Sequence, residues 1–215
     1  MQFTPINLSG WNRQQIFCYF SKIAPTGYSL TVKIDITEFY RKVKNAKIKF
    51  FLAFLWAATK CFNEQIEFKI AQKDDVIGYY DVLTPLYAEF HDDDKTFSLM
   101  WTEYNDDFKT FYKHFLENRE LYSCNHGILS RSELPPPNAY TISCVPWISF
   151  EHFAVHSYDN KPYFFPSVEA GKFYEKNGKI YLPLSITCHH ATTDGWHVKC
   201  FLESFEQLIN TFEYK

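Results

Sequence analysis

The chain has 215 residues, a net charge of −3 and 22% charged residues, which is typical of a globular protein and excludes a disordered or fibrous one. No basic tract is present to attract nucleic acid, and the most apolar run, Phe50 to Ala58, is too short to cross a membrane. No signal peptide is visible at the N-terminus, and the six cysteines form no CxxC pair. We therefore expect one domain over residues 1–215, in the cytoplasm, with reduced thiols.

Predicted strands and helices follow one another without a regular repeat. Alternation of apolar and polar residues predicts strands over Tyr28–Asp35, 76–90, 95–101, Tyr140–Cys144, Trp147–Val155 and Ile180–Cys188. Helical spacing predicts helices over Lys49–Phe62, Asp106–Tyr122 and from Val198 onward, and Thr37 is expected to cap a further short helix. The acidic turn 91–94 and the proline-rich stretch 134–138 are predicted loops. Because no βαβ rhythm or glycine-rich phosphate loop appears, we predict an α+β fold, a mixed β-sheet with flanking helices.

The residues with the most chemical potential are concentrated in 186-ITCHHATTDGWHVKC-200. This stretch lies where the last predicted strand changes into the last predicted helix. Such a turn holds side chains on rigid supports and exposes their tips. Gly195 is expected to give the turn backbone angles that other residues avoid.

Three interpretations of this histidine cluster can be compared. A metal site would need converging ligands, but the cluster lacks HExxH or paired CxxC spacing, and His189 and His190, as neighbours at a strand end, point to opposite faces. We therefore expect no metal. A structural role, with each histidine satisfied by its neighbours, is the second interpretation. The third is general base catalysis, which we favour, because imidazole titrates near neutral pH and can take a proton from a hydroxyl.

The stretch 189-HHATTDG-195 resembles the HHxxxDG signature of the chloramphenicol acetyltransferases. Related forms occur in the acyltransferase subunits of 2-oxoacid dehydrogenases and in peptide-synthetase condensation domains, so other motifs must select the family. Trp11-Asn12-Arg13 is similar to the family's WxR motif, and matching stretches follow in order at 3–5, 27–31, 33–37, 95–98, 143–150 and 182–185. The resemblance covers essentially the whole chain.

The resemblance implies a CoA-dependent acyltransferase of the two-layer sandwich type. The family forms homotrimers with active sites at subunit interfaces, where acetyl-CoA and the acceptor alcohol enter from opposite ends of a tunnel. Carried over to this chain, His190 is the general base and Ser143 hydrogen-bonds the tetrahedral oxyanion. Asp194 pairs with Arg13 and braces the turn that presents His190.

The resemblance also implies residues near the co-substrate and a direct reaction. Trp147, Lys172 and Phe173 match family positions close to CoA, where a cation suits the phosphates and an aromatic ring offers an apolar surface. The acetyl group passes directly to the acceptor hydroxyl, with no acyl-enzyme and no metal. Cys188 and Cys200 are then packing residues, and His189 and His197 are expected to be structural.

This chain departs from the resemblance around the acceptor. Glu169 stands where the resistance enzymes have a threonine that orders water near the reacting centre, and Phe20 and Ala24 replace a tyrosine and a leucine. The loop Asn125–Ser132 also lacks the phenylalanine that lines their chloramphenicol pocket. We predict chloramphenicol as the acceptor. The alternatives are the same chemistry on another hydroxylated small molecule, or a ligand-binding homologue without turnover.

Overall fold

A computed structural model describes residues 1–156 and 163–214 of the chain. Its strands are β1 (Phe3–Pro5), β2 (Gly27–Asp35), β3 (Ile70–Lys73), β4 (Val76–Tyr80), β5 (Thr84–Phe90), β6 (Phe97–Trp101), β7 (Ala139–Val145), β8 (Ser167–Gly171), β9 (Tyr174–Lys176) and β10 (Lys179–His189). Its α-helices are α1 (Gln14–Cys18), α2 (Thr37–Asn45), α3 (Phe50–Asn63), α4 (Phe108–Tyr122) and α5 (Gly195–Thr211). A single π-helical turn, Tyr19–Ile23, continues α1.

The main sheet is mixed, as the sequence predicts. Its strands run in the order β2-β10-β8-β7-β5-β6, and β9 pairs with the start of β10. Strand β7 is parallel to both β5 and β8, while β2, β8 and β9 are antiparallel to β10. A smaller antiparallel sheet, β1-β4-β3, lies outside it. The predicted α+β class with flanking helices is confirmed.

The two faces of the main sheet differ in chemistry. One face packs against the helices, and its fully buried side chains include Ile142, Val168 and Leu184, which form one core with residues of α3 and α5. Strand alternation turns the intervening residues to the other face, where Ser143, Glu169 and their neighbours make a polar surface. The sheet therefore has an apolar side for stability and a polar side that the segment after β7 partly covers.

Several predicted boundaries require correction. The predicted strand 76–90 is interrupted at 81–83, and Thr37 is the first residue of α2 and not its cap. Asp35 instead accepts hydrogen bonds from the amide and hydroxyl of Thr37, at 3.1 and 2.6 Å. Single-residue periodicity locates an element well but not its ends, because local side-chain bonds decide where it begins.

The predicted strand Trp147–Val155 does not form. After β7 the chain crosses the polar face of the sheet, where the hydroxyl of Ser185 donates to the carbonyl of Phe153 and the ring of Phe150 lies against Gly171. Alternation was misleading here because a segment that covers a sheet buries alternate side chains as a strand does, without joining the hydrogen-bond ladder.

None of the helices in the described part of the chain combines the length and the apolar character needed to cross a bilayer.

Candidate active site

The turn between β10 and α5 is anchored by its own backbone. The amide of His190 donates to the carbonyl of Thr26 at 2.8 Å, and the carbonyl of His189 accepts from the amides of Thr192 and Thr193 at 3.1 and 3.2 Å. Ala191 is fully buried in a small second cluster that also holds Phe17, Phe164 and Ile70. Bonds on one side and packing on the other leave the turn little freedom, which is the condition for a preorganised side chain.

The ring of His190 is held in one orientation. Its Nδ1 lies 3.1 Å from the carbonyl oxygen of Thr193. A carbonyl can only accept, so Nδ1 carries the proton and the lone pair of the neutral ring is on Nε2. Phe20 stacks on the imidazole with ring centroids 4.1 Å apart, and Tyr28 contacts it edge-on at 5.3 Å. An oriented imidazole with a free Nε2 is the arrangement that a general base requires.

The predicted pair between Arg13 and Asp194 is present. Nη1 of Arg13 donates to Oδ2 of Asp194 at 2.9 Å, and the two side chains are 12% and 32% exposed. Asp194 also caps α5, because its Oδ1 accepts from the amide of Trp196 at 3.0 Å. Burial alone raises the pKa of Asp194, but the bond from Arg13 and the proximity of His197 outweigh it and hold that pKa below its ordinary value. The pair therefore ties the N-terminal segment to the start of α5.

The other side chains of the cluster have separate partners. Nδ1 of His189 accepts from the amide of Ala191 at 3.2 Å, and burial together with the nearby His190 lowers the pKa of His189. Nδ1 of His197 accepts from the amide of Asp194 at 3.1 Å, in a capping box. Within the described residues, the side chains of 188–200 do not come together as a set of three ligands. These contacts agree with the structural roles expected for His189 and His197.

Gly195 does not have the conformational role expected from the sequence. Its φ lies outside the left-handed region, and a Cβ added there would meet no heavy atom within 4 Å in the described chain. The turn closes through the side-chain cap of Asp194 instead. A glycine beside a cap is therefore not by itself a sign of an unusual backbone angle.

Ser143 lies on the polar face but far from His190 within one chain. It is in register with Glu169 on β8, which is in turn in register with Ser185 on β10, four residues before His189. Four residues along a strand span roughly 13 Å and two strand spacings about 10 Å, so Ser143 and His189 are roughly 16 Å apart at Cα. Their side chains together cannot bridge that distance. One chain alone does not bring the predicted base and the predicted oxyanion donor to one centre.

Glu169 is an unusual neighbour for Ser143. Its side chain is 1% exposed, Oε1 accepts from the hydroxyl of Ser167 at 2.5 Å, and Oε2 has no partner in the described part of the chain. Burial raises the pKa of Glu169 to about 7, and the bond from Ser167 offsets this only in part. A buried carboxyl with one unpaired oxygen is costly unless a ligand, water or proton satisfies it.

The predicted CoA residues lie at the same end of the sheet as Ser143. Trp147 follows β7, is 60% exposed and contacts the ring of Phe90 at 4.8 Å. Lys172 follows β8 and is exposed, with its amide bonded to the carbonyl of Ile148 at 2.8 Å. An exposed indole and an exposed cation on adjacent strand ends fit a phosphorylated carrier with an apolar arm.

Phe173 does not share a surface with Trp147. Its ring packs against Tyr40 and Phe50 on the helical side, with centroids 5.0 and 5.8 Å away. Trp147 instead contacts Phe90 of β5. The structure thus separates two of the three residues predicted to contact CoA, although both follow neighbouring parallel strands.

Sequence reasoning missed two partners of His190. Tyr28 begins a predicted strand and belongs to the family-like stretch 27–31, and Phe20 marks a departure from the family in the acceptor region, but neither pattern indicates a contact with the base. The available signals were that family-like stretch and, for Phe20, its place shortly after the WxR motif. The carbonyls of Thr26 and Thr193 carry no side-chain signature, so their role could be found only from coordinates.

Comparison with known proteins is consistent across sequence and fold. The family model described as "Chloramphenicol acetyltransferase" matches residues 1–206. A chloramphenicol acetyltransferase of Staphylococcus aureus is 37% identical over 209 residues, covering 97% of this chain and 96% of its own length. One of Campylobacter coli is 35% identical over 211 residues, covering 98% and 100%. A solved chloramphenicol acetyltransferase superposes with a TM-score of 0.89 at 22% identity, covering 97% of this chain and all of its own, which shows the shared fold.

Proposed function

The chain belongs to the chloramphenicol acetyltransferase family, and from that premise we propose that it transfers the acetyl group of acetyl-CoA to a hydroxyl of chloramphenicol, thereby inactivating the antibiotic. The observation that carries the proposal is the ring of His190, locked through Nδ1 to the carbonyl of Thr193 with Nε2 free. Family membership makes the protein an acyltransferase, and this ring supplies the base that such an enzyme needs.

The residues suggest a direct transfer. Nε2 of His190 takes the proton of the acceptor hydroxyl as the oxygen attacks the thioester carbon. The hydroxyl of Ser143 donates a hydrogen bond to the oxyanion that forms, a contact of the kind worth about 3 kcal/mol. When the carbon–sulfur bond breaks, the imidazolium of His190 returns its proton to the leaving thiolate. The acetyl ester and CoA–SH are the products, and no cysteine is needed as a nucleophile.

We also infer that the functional unit is a homotrimer whose sites join two copies. The support is the separation of roughly 16 Å between Ser143 and His189 within one chain, which a site made of His190 from one copy and Ser143 from its neighbour removes. Trp147 and Lys172 lie at the Ser143 end, so CoA would enter from that side. All six cysteines are free, which suits the reducing cytoplasm in which we place the enzyme.

Glu169 makes an acceptor other than chloramphenicol a second candidate. A buried carboxyl with an unpaired oxygen, in register with Ser143, changes the polarity of the sheet face that leads to the reacting centre. Because Glu169 is 1% exposed, it acts on an acceptor through the charge and polarity of this face and not through direct contact. The second candidate function is therefore acetylation of a different hydroxylated small molecule by the same residues.

The test is release of free CoA thiol from acetyl-CoA with chloramphenicol. The expected result is turnover by the wild-type protein and loss of it in His190→Ala, with His114→Ala on α4 as the matched control that keeps full activity. Equal turnover in wild type and His190→Ala would overturn the assignment of the base.

The same assay separates the acceptors. Acetyl-CoA consumption with other small alcohols, but not with chloramphenicol, would replace the acceptor while leaving His190 as base. Binding of chloramphenicol by calorimetry without any turnover would instead identify a binding homologue and overturn the enzymatic proposal.

A further inference from the structure

Two histidines and an aspartate meet at a place that the proposed reaction does not use. His91 and Asp93 lie in the turn between β5 and β6, and His126 lies in the segment after α4. One potential ligand atom from each lies within 4.8 Å of the other two, and this is the one such group among the described residues. His91 is 6% exposed, whereas the side chains of His126 and Asp93 are 43% and 73% exposed.

The two backbone segments that carry these side chains are bonded to β6 or to the residue before it. The amide of His91 donates to the carbonyl of Thr96 at 2.9 Å, which closes the turn. On the other side, the amide of Leu99 donates to the carbonyl of Ile128 at 2.8 Å, and the amide of Ser130 donates back to Leu99 at 3.1 Å. The histidines are therefore brought together by main-chain bonds, not by chance contact of free side chains.

The hydrogen bonds of His91 identify its free nitrogen. The hydroxyl of Ser98 donates to the carbonyl of Asn125 at 2.9 Å, so its single proton is already used. The 2.6 Å contact between Ser98 Oγ and His91 Nε2 must then run from nitrogen to oxygen. Nε2 carries the proton, and Nδ1 of the neutral ring keeps its lone pair.

A hydrogen bond to Asp94 identifies the free nitrogen of His126 in the same way. Its Nδ1 lies 2.8 Å from Oδ2 of Asp94, an acceptor, so Nδ1 donates and Nε2 is the free nitrogen of the neutral ring. Nε2 lies 3.5 Å from Oδ2 of Asp93. A carboxylate behind a histidine, facing away from a ligand, is the arrangement that fixes the tautomer of metal-binding histidines.

The distances suit a small divalent ion after one adjustment. Tetrahedral zinc with bonds of 2.0–2.1 Å places neighbouring ligand atoms roughly 3.3 Å apart, close to the 3.5 Å between His126 and Asp93. The rings of His91 and His126 are stacked, 4.1 Å apart with 19° between their planes, so both cannot point at one ion as they stand. His126 has the exposure to rotate, and the side chain of Asp94, 44% exposed, can follow it and keep their hydrogen bond, whereas His91 is buried and held by Ser98.

We propose that His91, Asp93 and His126 bind one divalent ion of the zinc class, with Asp94 orienting His126. Two imidazoles and a carboxylate are ligands that zinc, cobalt and nickel accept, and exposure leaves the fourth position to water. The ion would join the β5–β6 turn to the segment after α4. It takes no part in acetyl transfer, and the proposal is independent of the proposed function.

The experiment is calorimetric titration of chelator-treated protein with Zn²⁺, together with thermal unfolding. The expected result is one ion per chain and a raised Tm in the wild type. His126→Ala and Asp93→Asn each weaken binding at least tenfold, because both residues are exposed ligands whose loss leaves the fold intact. His114→Ala and Cys124→Ser, the latter an exposed thiol two residues before His126 in the chain, leave binding unchanged.

The visible spectrum of the Co²⁺ complex provides a second readout. Nitrogen and oxygen ligation gives weak d–d bands without the intense thiolate charge-transfer absorption. Unchanged binding in His126→Ala, a thiolate band that disappears in Cys124→Ser, or no binding by the wild type at millimolar metal would each overturn the proposal and leave the cluster as an ordinary ion pair.

Discussion

The two ends of the main sheet are built in different ways. At the end of β10, one turn and the N-terminal segment supply the base, its support and the ion pair between Arg13 and Asp194, all within one chain. At the opposite end, Ser143 and Glu169 come from two parallel strands, and Trp147 is left 60% exposed. The first end, called the base end below, holds the proposed base and all of its supporting contacts within one chain. The second, called the oxyanion end, holds the proposed oxyanion donor but no base. Variants at the two ends can therefore test whether one active site joins two copies of the chain.

Mixing variants offers the strongest test of this comparison. Loss of His190 is expected to lower kcat by roughly 10²–10⁴, and loss of the Ser143 hydroxyl by roughly 10²–10³. If each site joins two copies, co-refolding equal amounts of His190→Ala and Ser143→Ala chains should restore about a quarter of wild-type turnover, because random assembly makes about a quarter of the sites intact.

A matched mixture tests the opposite arrangement. His190→Ala co-refolded with Arg13→Ala should show no recovery, because both changes lie at the same end of the same chain. No recovery in the first mixture would mean that the two ends do not combine across copies, and recovery in the second would mean that Arg13 and His190 act from different copies. The measurement in both cases is free-thiol release from acetyl-CoA.

Breaking the ion pair between Arg13 and Asp194 should affect only the end of the sheet that carries His190. Arg13→Ala leaves the partly buried carboxylate of Asp194 without its partner and is expected to cost about 3 kcal/mol of unfolding free energy, together with a loss of kcat. Asp194→Asn keeps an N-cap oxygen but loses the charge, so it should cost less than Asp194→Ala, by about 1 kcal/mol. Urea unfolding measures both, and Arg41→Ala in an exposed pair is the control. An inactive Arg13→Ala protein of wild-type stability would contradict the bracing role.

At the end of the sheet that carries Ser143, Glu169 should make the unfolding free energy depend on pH. Its pKa is raised from 4.5 to about 7 in the folded protein. The folded state therefore holds more protons than the unfolded state across this window, so the unfolding free energy falls as the pH rises from about 4.5 to 7, by roughly 3 kcal/mol at most. Glu169→Gln removes the titration, so the variant should gain Tm over wild type at pH 8 but not at pH 5. Glu175→Gln, exposed on β9, should behave alike at both pH values.

The smallest expected effect comes from replacing one glycine at each end of the sheet, Gly171 or Gly195, by alanine. A Cβ on Gly171 would lie 2.9 Å from the ring of Phe150, so Gly171→Ala should cost about 1–2 kcal/mol through overpacking. A Cβ on Gly195 would meet nothing within 4 Å, so Gly195→Ala should leave Tm unchanged. If Gly195→Ala lowers turnover at unchanged Tm, its small size serves access to His190. Equal destabilisation by both substitutions would contradict the difference in packing.

Prediction from sequence was most successful where the signal is periodic or contiguous. The last strand and helix were located because nine or more residues repeat one pattern, and the proposed base, Asp194 and Arg13 were singled out by the family motifs that they match. The stretch Trp147–Val155 failed because covering a sheet and joining it produce the same alternation. The group of His91, Asp93 and His126 was not anticipated, since His126 is more than thirty residues from the other two and the contact depends on how two loops dock.

By itself, the sequence determined the α+β class, the family, the identity of the proposed base and the pair between Arg13 and Asp194, since each of these depends on periodic stretches or on motifs. Only the tertiary structure decided which nitrogen of His190 is free, that Phe20 stacks on it, that Glu169 is buried beside Ser143, and that Ser143 lies at the far end of the sheet. The physical reason is that these properties depend on which distant strands pair with each other and on main-chain carbonyls, and no single stretch of side chains specifies either one.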